Sequence, residues 1–326
     1  MPNYQGVWSL SAQYQNAELW GVQLLGSGTA VAFGGVSGNG SPEWANADYI
    51  NIATTGNAAD FGDMPYTCER GASCASSTKF VHFPGQKNNS QSQTMSSRFF
   101  ASGSDTVDFG SYTPENSYLD APSGCSNSTR GVLGGGSGAN SPYQMNTLYY
   151  ITLASLGDAS DFGDLSAGRS FLSGLASSTR GVFSGGREET TNPTNRMDYV
   201  TIASTGNATD FGDLTAARRE VAGAASSTRG VNGGGNTGTY SNIIDYITIA
   251  TTGNATDFGD LTLSMFGTAA ASTESRAVWF GGYTGSTQNV IQYVTIATTG
   301  NAVDFGDLAQ GRWRLMAASN AHGGIA

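Results

Sequence analysis

Three cysteines and two histidines in 326 residues leave little material for the commonest metal and redox chemistries. Cys68, Cys74 and Cys125 form neither an even disulfide framework nor a zinc-ligand spacing. His82 and His322 lie on different repeat units, which removes most histidine-based metal sites and nucleophile–base arrangements. Basic residues are also few: 15 Lys and Arg against 25 Asp and Glu give a formal net charge of -10. They are dispersed, whereas nucleic-acid binding needs a basic stripe, so no nucleic-acid partner is expected. There is no run of 18 apolar residues, and Met1-Pro2-Asn3-Tyr4-Gln5-Gly6 has neither the basic start nor the apolar stretch of a signal peptide. Neither membrane insertion nor secretion is expected from those features.

The chain is also poor in lysine and leucine, and with 46 glycines it reads as many short strands joined by tight turns. At 38% hydrophobic and 10% aromatic it can bury a substantial core. The dominant feature is one phrase, Asp-Phe-Gly followed by Asp or Ser, written six times. Its phenylalanines are Phe61, Phe109, Phe162, Phe211, Phe258 and Phe305, spaced 47 to 53 residues apart. That period belongs to repeat architectures. Recurrence makes these residues the repeat core, each expected to contribute about 1.5–3 kcal/mol on burial. Cys74 and Cys125 fall where other copies carry Leu175 and Ala224, so they are expected as buried small side chains of a chain made in a reducing compartment.

The fifth copy shows the unit. Ala222–Ser226 is a small-residue strand, and Ser227-Thr228-Arg229-Gly230 is a hairpin turn. A second strand ends in Gly233-Gly234-Gly235. Asp245–Ala250 is rich in aromatic and β-branched residues and reads as a third strand, and Gly253-Asn254 turns into a fourth ending near Leu261. Four strands make a sheet too small to bury both faces, and stacking such sheets radially solves the problem. The glycine doublets, the Tyr-bearing third strand and the aromatic fourth strand together resemble the kelch β-propeller repeat. The departure is Phe in the fourth strand, where that pattern favours Trp. The phrase from Tyr199 to Asp213 is also similar to repeats in bacteriophage structural and tail-associated proteins. The opening Tyr4–Leu10 and the ending His322–Ala326 share that similarity.

The expected fold is therefore all-β, a propeller of four-stranded kelch-like blades over residues 21–326, with residues 1–20 contributing a closing strand. Six units end at Asp63, Ser111, Asp164, Asp213, Asp260 and Asp307. Arg312–Ala326 matches the first two strands of a unit and Tyr4–Leu10 a fourth, so a composite seventh blade is the preferred closure. Six blades is the alternative. Blade two, with Phe99-Phe100 in its third strand and Pro84-Gly85 in place of a doublet, is the most degenerate.

No catalytic, cofactor or metal residue is nominated, and an enzyme is not expected. Six tandem copies without an accompanying catalytic loop set aside the kinase reading of Asp-Phe-Gly. Paired acids such as Asp210 and Asp213 could bind Ca²⁺, but aspartates at turns more often satisfy backbone donors. Asn207-Ala208-Thr209 and Asn254-Ala255-Thr256 match the glycosylation pattern only because the repeat produces it. Function is sought where the copies differ, in the loops on one face. The binding-face candidates are Trp44, Tyr143, Arg187, Arg218, Arg219, Tyr240 and Tyr283. The phage resemblance implies a virion protein, assembled in the host cytoplasm as part of an oligomeric assembly. Its implied partners are other virion proteins and a host-surface glycan or protein receptor. A glycan-binding or carbohydrate-active propeller and an intracellular kelch-type adaptor are the alternatives.

Overall fold

The computed structural model describes residues 27–38, 43–87, 90–91, 93–101, 106–112, 119–138 and 142–325. These form a β-propeller of six four-stranded antiparallel sheets. Blade 5 is representative: Ala222–Ala225 is innermost, followed outward by Arg229–Gly233, Ser241–Thr248 and Thr256–Met265. The inner strands of blades 2, 3, 4 and 6 are Ala72–Ala75, Ser123–Ser126, Ser173–Ala176 and Ala269–Ser272. Their Ala, Gly and Ser content follows from geometry, because six inner strands crowd one axis and only small side chains fit between them. No helix among the described residues is long and apolar enough to cross a membrane.

Blade 1 is composite. Its inner strand is Met316–Ser319, paired antiparallel with Thr29–Phe33, which pairs in turn with Ala47–Asn51 and then Ala59–Asp60. This corrects the preferred seven-blade count. The C-terminal segment supplies one strand rather than two, and that strand fills the innermost position of the first unit, so the ring closes at six. The part assigned to Tyr4–Leu10, and with it the whole 1–20 segment, lies outside the described residues.

The core is divided among six wedges, one between each pair of neighbouring blades. All six repeat phenylalanines are buried there, and in five blades a third-strand Tyr meets the Phe edge-on, as Tyr199 does Phe211 at 6.0 Å. The hairpin arginine joins blades. Arg180 lies 4.5 Å from the Tyr199 ring centroid and donates to the carbonyls of Ile249 and Ala250 in the next blade. Arg229 and Arg276 repeat the arrangement one blade further on. Asn207 and Asn254 act at the same junctions, each accepting from a backbone N–H at the end of the preceding outer strand, Asp164 and Asp213 respectively. Their side chains are structural.

The glycine doublets let the end of the second strand pass against the connection into the next blade. In Gly185-Gly186 both residues have positive φ, the Gly186 N–H donates to Arg218 O, and a Cβ on Gly185 would sit 2.5 Å from that same carbonyl. A side chain is excluded by contact as well as by conformation.

Candidate functional site at the upper mouth of the channel

The loops between second and third strands share one end of the ring with the connections between blades, taken here as the upper face. Each connection enters its inner strand through one residue in the left-handed region: Arg70, Ala121, Phe171, Glu220, Gly267 and Arg314, with φ between 53° and 67°. These six positions encircle the axis. The N–H of Ala121 donates to Arg70 O, Phe171 to Ala121, Glu220 to Phe171, Arg314 to Gly267, and Arg70 to Arg314, at 2.7–3.1 Å. These five hydrogen bonds around the axis hold the conformation. They do not explain the residue types, because a non-glycine residue there costs about 1–2 kcal/mol, and Gly267 shows that glycine serves equally well.

Inside this ring is a cavity of about 90 Å³ lined by Arg70, Phe171, Leu172, Glu220, Thr268 and Arg314, among others. It continues into a second space of about 140 Å³ between the inner strands. The floor is the C-terminal tail. Gly323 N–H donates to Ala225 O, and His322 Nε2 lies 3.2 Å from Ala75 O and 3.4 Å from Ser126 Oγ. A Cβ on Gly324 would fall 1.9 Å from Ser126 O, so the tail passes only because it is glycine there. Burial lowers the His322 pKa to about 4, keeping the imidazole neutral in the folded protein.

Charge is concentrated at the rim. Arg70 contacts Asp120 at 3.3 Å and Glu69 at 3.7 Å, while Arg314 contacts Glu69 at 3.7 Å and Glu220 at 4.0 Å. Burial raises the Glu69, Asp120 and Glu220 carboxyls above the ordinary carboxylate range, against the lowering pull of the arginines, and lowers Arg314. Beside the rim is an aromatic cluster. Tyr240, Phe266 and Tyr283 are mutually in contact with centroids 5.4–6.2 Å apart, Trp313 meets Phe266 at 5.3 Å and Tyr283 at 4.9 Å, and the Arg314 guanidinium lies 3.8 Å from the Trp313 centroid.

Of the seven binding-face candidates, the structure brings Tyr240 and Tyr283 together in this cluster, with Tyr240 41% exposed. Tyr143 and Arg187 are exposed on other blades, and Trp44 is half-buried. Arg219 is half-buried and donates to Asn192 Oδ1 at 3.2 Å. Arg218 is fully buried and does not reach the surface: it pairs with Asp245 and donates to Gly234 O and Ile243 O. The same pair recurs as Arg169–Asp198 and Arg312–Asp48, both at 2.6 Å. At the equivalent positions blade 6 carries Met265 and Gln292, and blade 3 carries Leu119 and Tyr149. Arginine and aspartate thus come and go together.

None of the rim residues Arg70, Phe171, Glu220 and Arg314 is among the binding-face candidates. The available signal was position: each stands two residues before an inner strand, where the sixth copy has glycine. Among the described residues no group of three or more His, Cys, Asp or Glu is placed to hold a metal ion. Asp60 and Asp108 instead accept from the N–H of Gly62 and Gly110. No protein-family model and no curated protein matches the chain.

Proposed function

We propose that this chain is a virion structural or tail-associated protein whose propeller is a rigid docking platform, with the upper face as the contact surface. The observation that carries the platform reading is the Tyr240–Phe266–Tyr283–Trp313 cluster on loops held by a closed ring. Tyr240, exposed, and Tyr283, half-buried, are presented over the buried Phe266 and Trp313 beside charged groups, an arrangement that suits the centre of a protein or glycan contact. The virion assignment rests on the resemblance of the phrase from Tyr199 to Asp213, and of Tyr4–Leu10 and His322–Ala326, to bacteriophage structural proteins. It implies other virion proteins and a host-surface receptor as partners.

A second reading, a glycan-binding propeller, is favoured by the acidic and aromatic groups gathered at one channel mouth, which is the arrangement such a protein needs. Particles carrying Tyr240→Ala with Tyr283→Ala test the platform. Loss of adsorption or of incorporation, with the purified variant still folded, is the expected result. Normal assembly and normal adsorption would overturn it.

A further inference from the structure

We propose that the upper mouth of the channel is a saccharide site that takes one sugar ring of a glycan. This extends the receptor part of the reading above, but concerns the isolated protein and does not depend on its place in a particle.

Four observations lead here. First, the left-handed ring favours glycine, yet Arg70, Phe171, Glu220 and Arg314 occupy it with their side chains around one cavity. Strain that the fold does not require, gathered at one place, marks a position kept for its side chain. Second, Glu220 Oε2, Thr268 Oγ1 and Arg314 Nε make no hydrogen bond within the protein, although the Glu220 side chain and Thr268 are each only 8% exposed. All three residues line the cavity, with Glu220 Oε2 and Arg314 Nε facing each other at 4.0 Å, and a small turn of these covered side chains would offer a ligand an acceptor, a donor–acceptor and a donor. Buried polar atoms of this kind gain most from a ligand that completes them.

Third, the cavity wall carries both signs, Glu220 with Arg70 and Arg314, while Glu69 and Asp120 pair with those arginines. A simple anion would meet the carboxylates and a simple cation the guanidiniums. A hydroxyl donates to one and accepts from the other, and neighbouring hydroxyls on a pyranose do both at once. Fourth, Phe171 and Leu172 give the wall an apolar side against which the C–H face of a sugar can pack. The cavity of about 90 Å³ has room for roughly six to nine waters at 10–15 Å³ each. The tail closes the channel below, so a ligand enters and leaves by the upper face.

The test is calorimetric titration of the full chain with glucose, galactose, mannose and N-acetylglucosamine, with butylamine and acetate as ionic probes. The expected result is millimolar binding of at least one sugar, weakened tenfold or more by Glu220→Gly and threefold or more by Thr268→Val. Arg187→Ala, an exposed side chain outside the cavity lining, is expected to leave affinity within twofold. Glu220→Gly relieves the left-handed strain but also takes a carboxylate from beside Arg314. Thr268→Val, which alters no backbone preference of this kind, keeps the test decisive should the glycine variant fail to fold. The proposal is overturned if only butylamine or acetate binds, if no probe binds, or if a sugar binds with unchanged affinity to both variants.

Discussion

Replacing Arg312 separates the two roles of a buried charge. Arg312 sits on the segment that carries the closing strand; its guanidinium pairs with Asp48 at 2.6 Å and donates to Asn46 O at 2.6 Å and, at 3.3 Å, to Gly34 O and Ala32 O. Burial lowers its pKa and raises that of Asp48, so desolvation opposes the pair and geometry holds it. Removing one partner leaves the other charged and dry. Arg312→Met alone is therefore expected to cost about 3–5 kcal/mol. Blade 6 supplies the rescue, since Met265 and Gln292 stand at the same positions and the Gln292 side-chain amide reaches Met265 Sδ at 3.6 Å. The double variant Arg312→Met, Asp48→Gln should recover most of the loss, with a coupling of about 2 kcal/mol or more. Equilibrium unfolding in urea of the parent, both single variants and the double variant measures this cycle. A single-variant cost under about 1 kcal/mol, or a double variant as unstable as the sum of the singles, would refute the reasoning.

Two further outcomes follow from the axis of the ring. His322 has its pKa lowered from 6.5 to about 4, so between those values the unfolded chain binds a proton that the folded one does not, and its contribution to stability falls as pH drops through that window. The full difference is about 3 kcal/mol, and His322→Gln should flatten this acid limb when unfolding is followed from pH 7 to pH 4; an unchanged limb would contradict the buried placement of the tail. Ala121 has φ 54° and a small side chain, so Ala121→Gly should raise the unfolding free energy by about 1 kcal/mol in urea titrations, whereas a loss would show that the left-handed ring is not strained.

The repeat made the fold legible, and its limits show where sequence patterns stop. Every Asp-Phe-Gly phenylalanine is buried between blades because the same small sheet must cover the same neighbour each time. The strands of blade 5 lie where propensity put them, although Ser241–Thr248 begins before the expected Asp245 and Thr256–Met265 runs beyond Leu261. Blade number was harder. Strand-like residues at both ends are equally compatible with one composite blade or one extra blade, and only the pairing of Met316–Ser319 with Thr29–Phe33 decides between them.

Candidate residues chosen for variability behaved differently according to what lay beneath them. Arg218 and Arg219 are adjacent in a loop, yet the first points into the blade toward Asp245 and the second toward Asn192. A charged loop residue carries no sequence mark of that choice unless the partner's pattern is read too, and the joint presence of Arg169 with Asp198 and Arg312 with Asp48 is that mark. The channel rim was hidden for another reason. Arg70, Phe171, Glu220 and Arg314 share neither charge nor shape, only a backbone angle, and so no residue pattern announces them.

The central claim is that this propeller is a virion component serving as a docking platform, and quantitative mass spectrometry of purified virus particles from the source sample tests it most directly. The account predicts this chain at a fixed copy number relative to the major capsid protein, a few copies placing it at a tail or fibre and hundreds on the capsid surface. Its clear absence from purified particles would contradict the account.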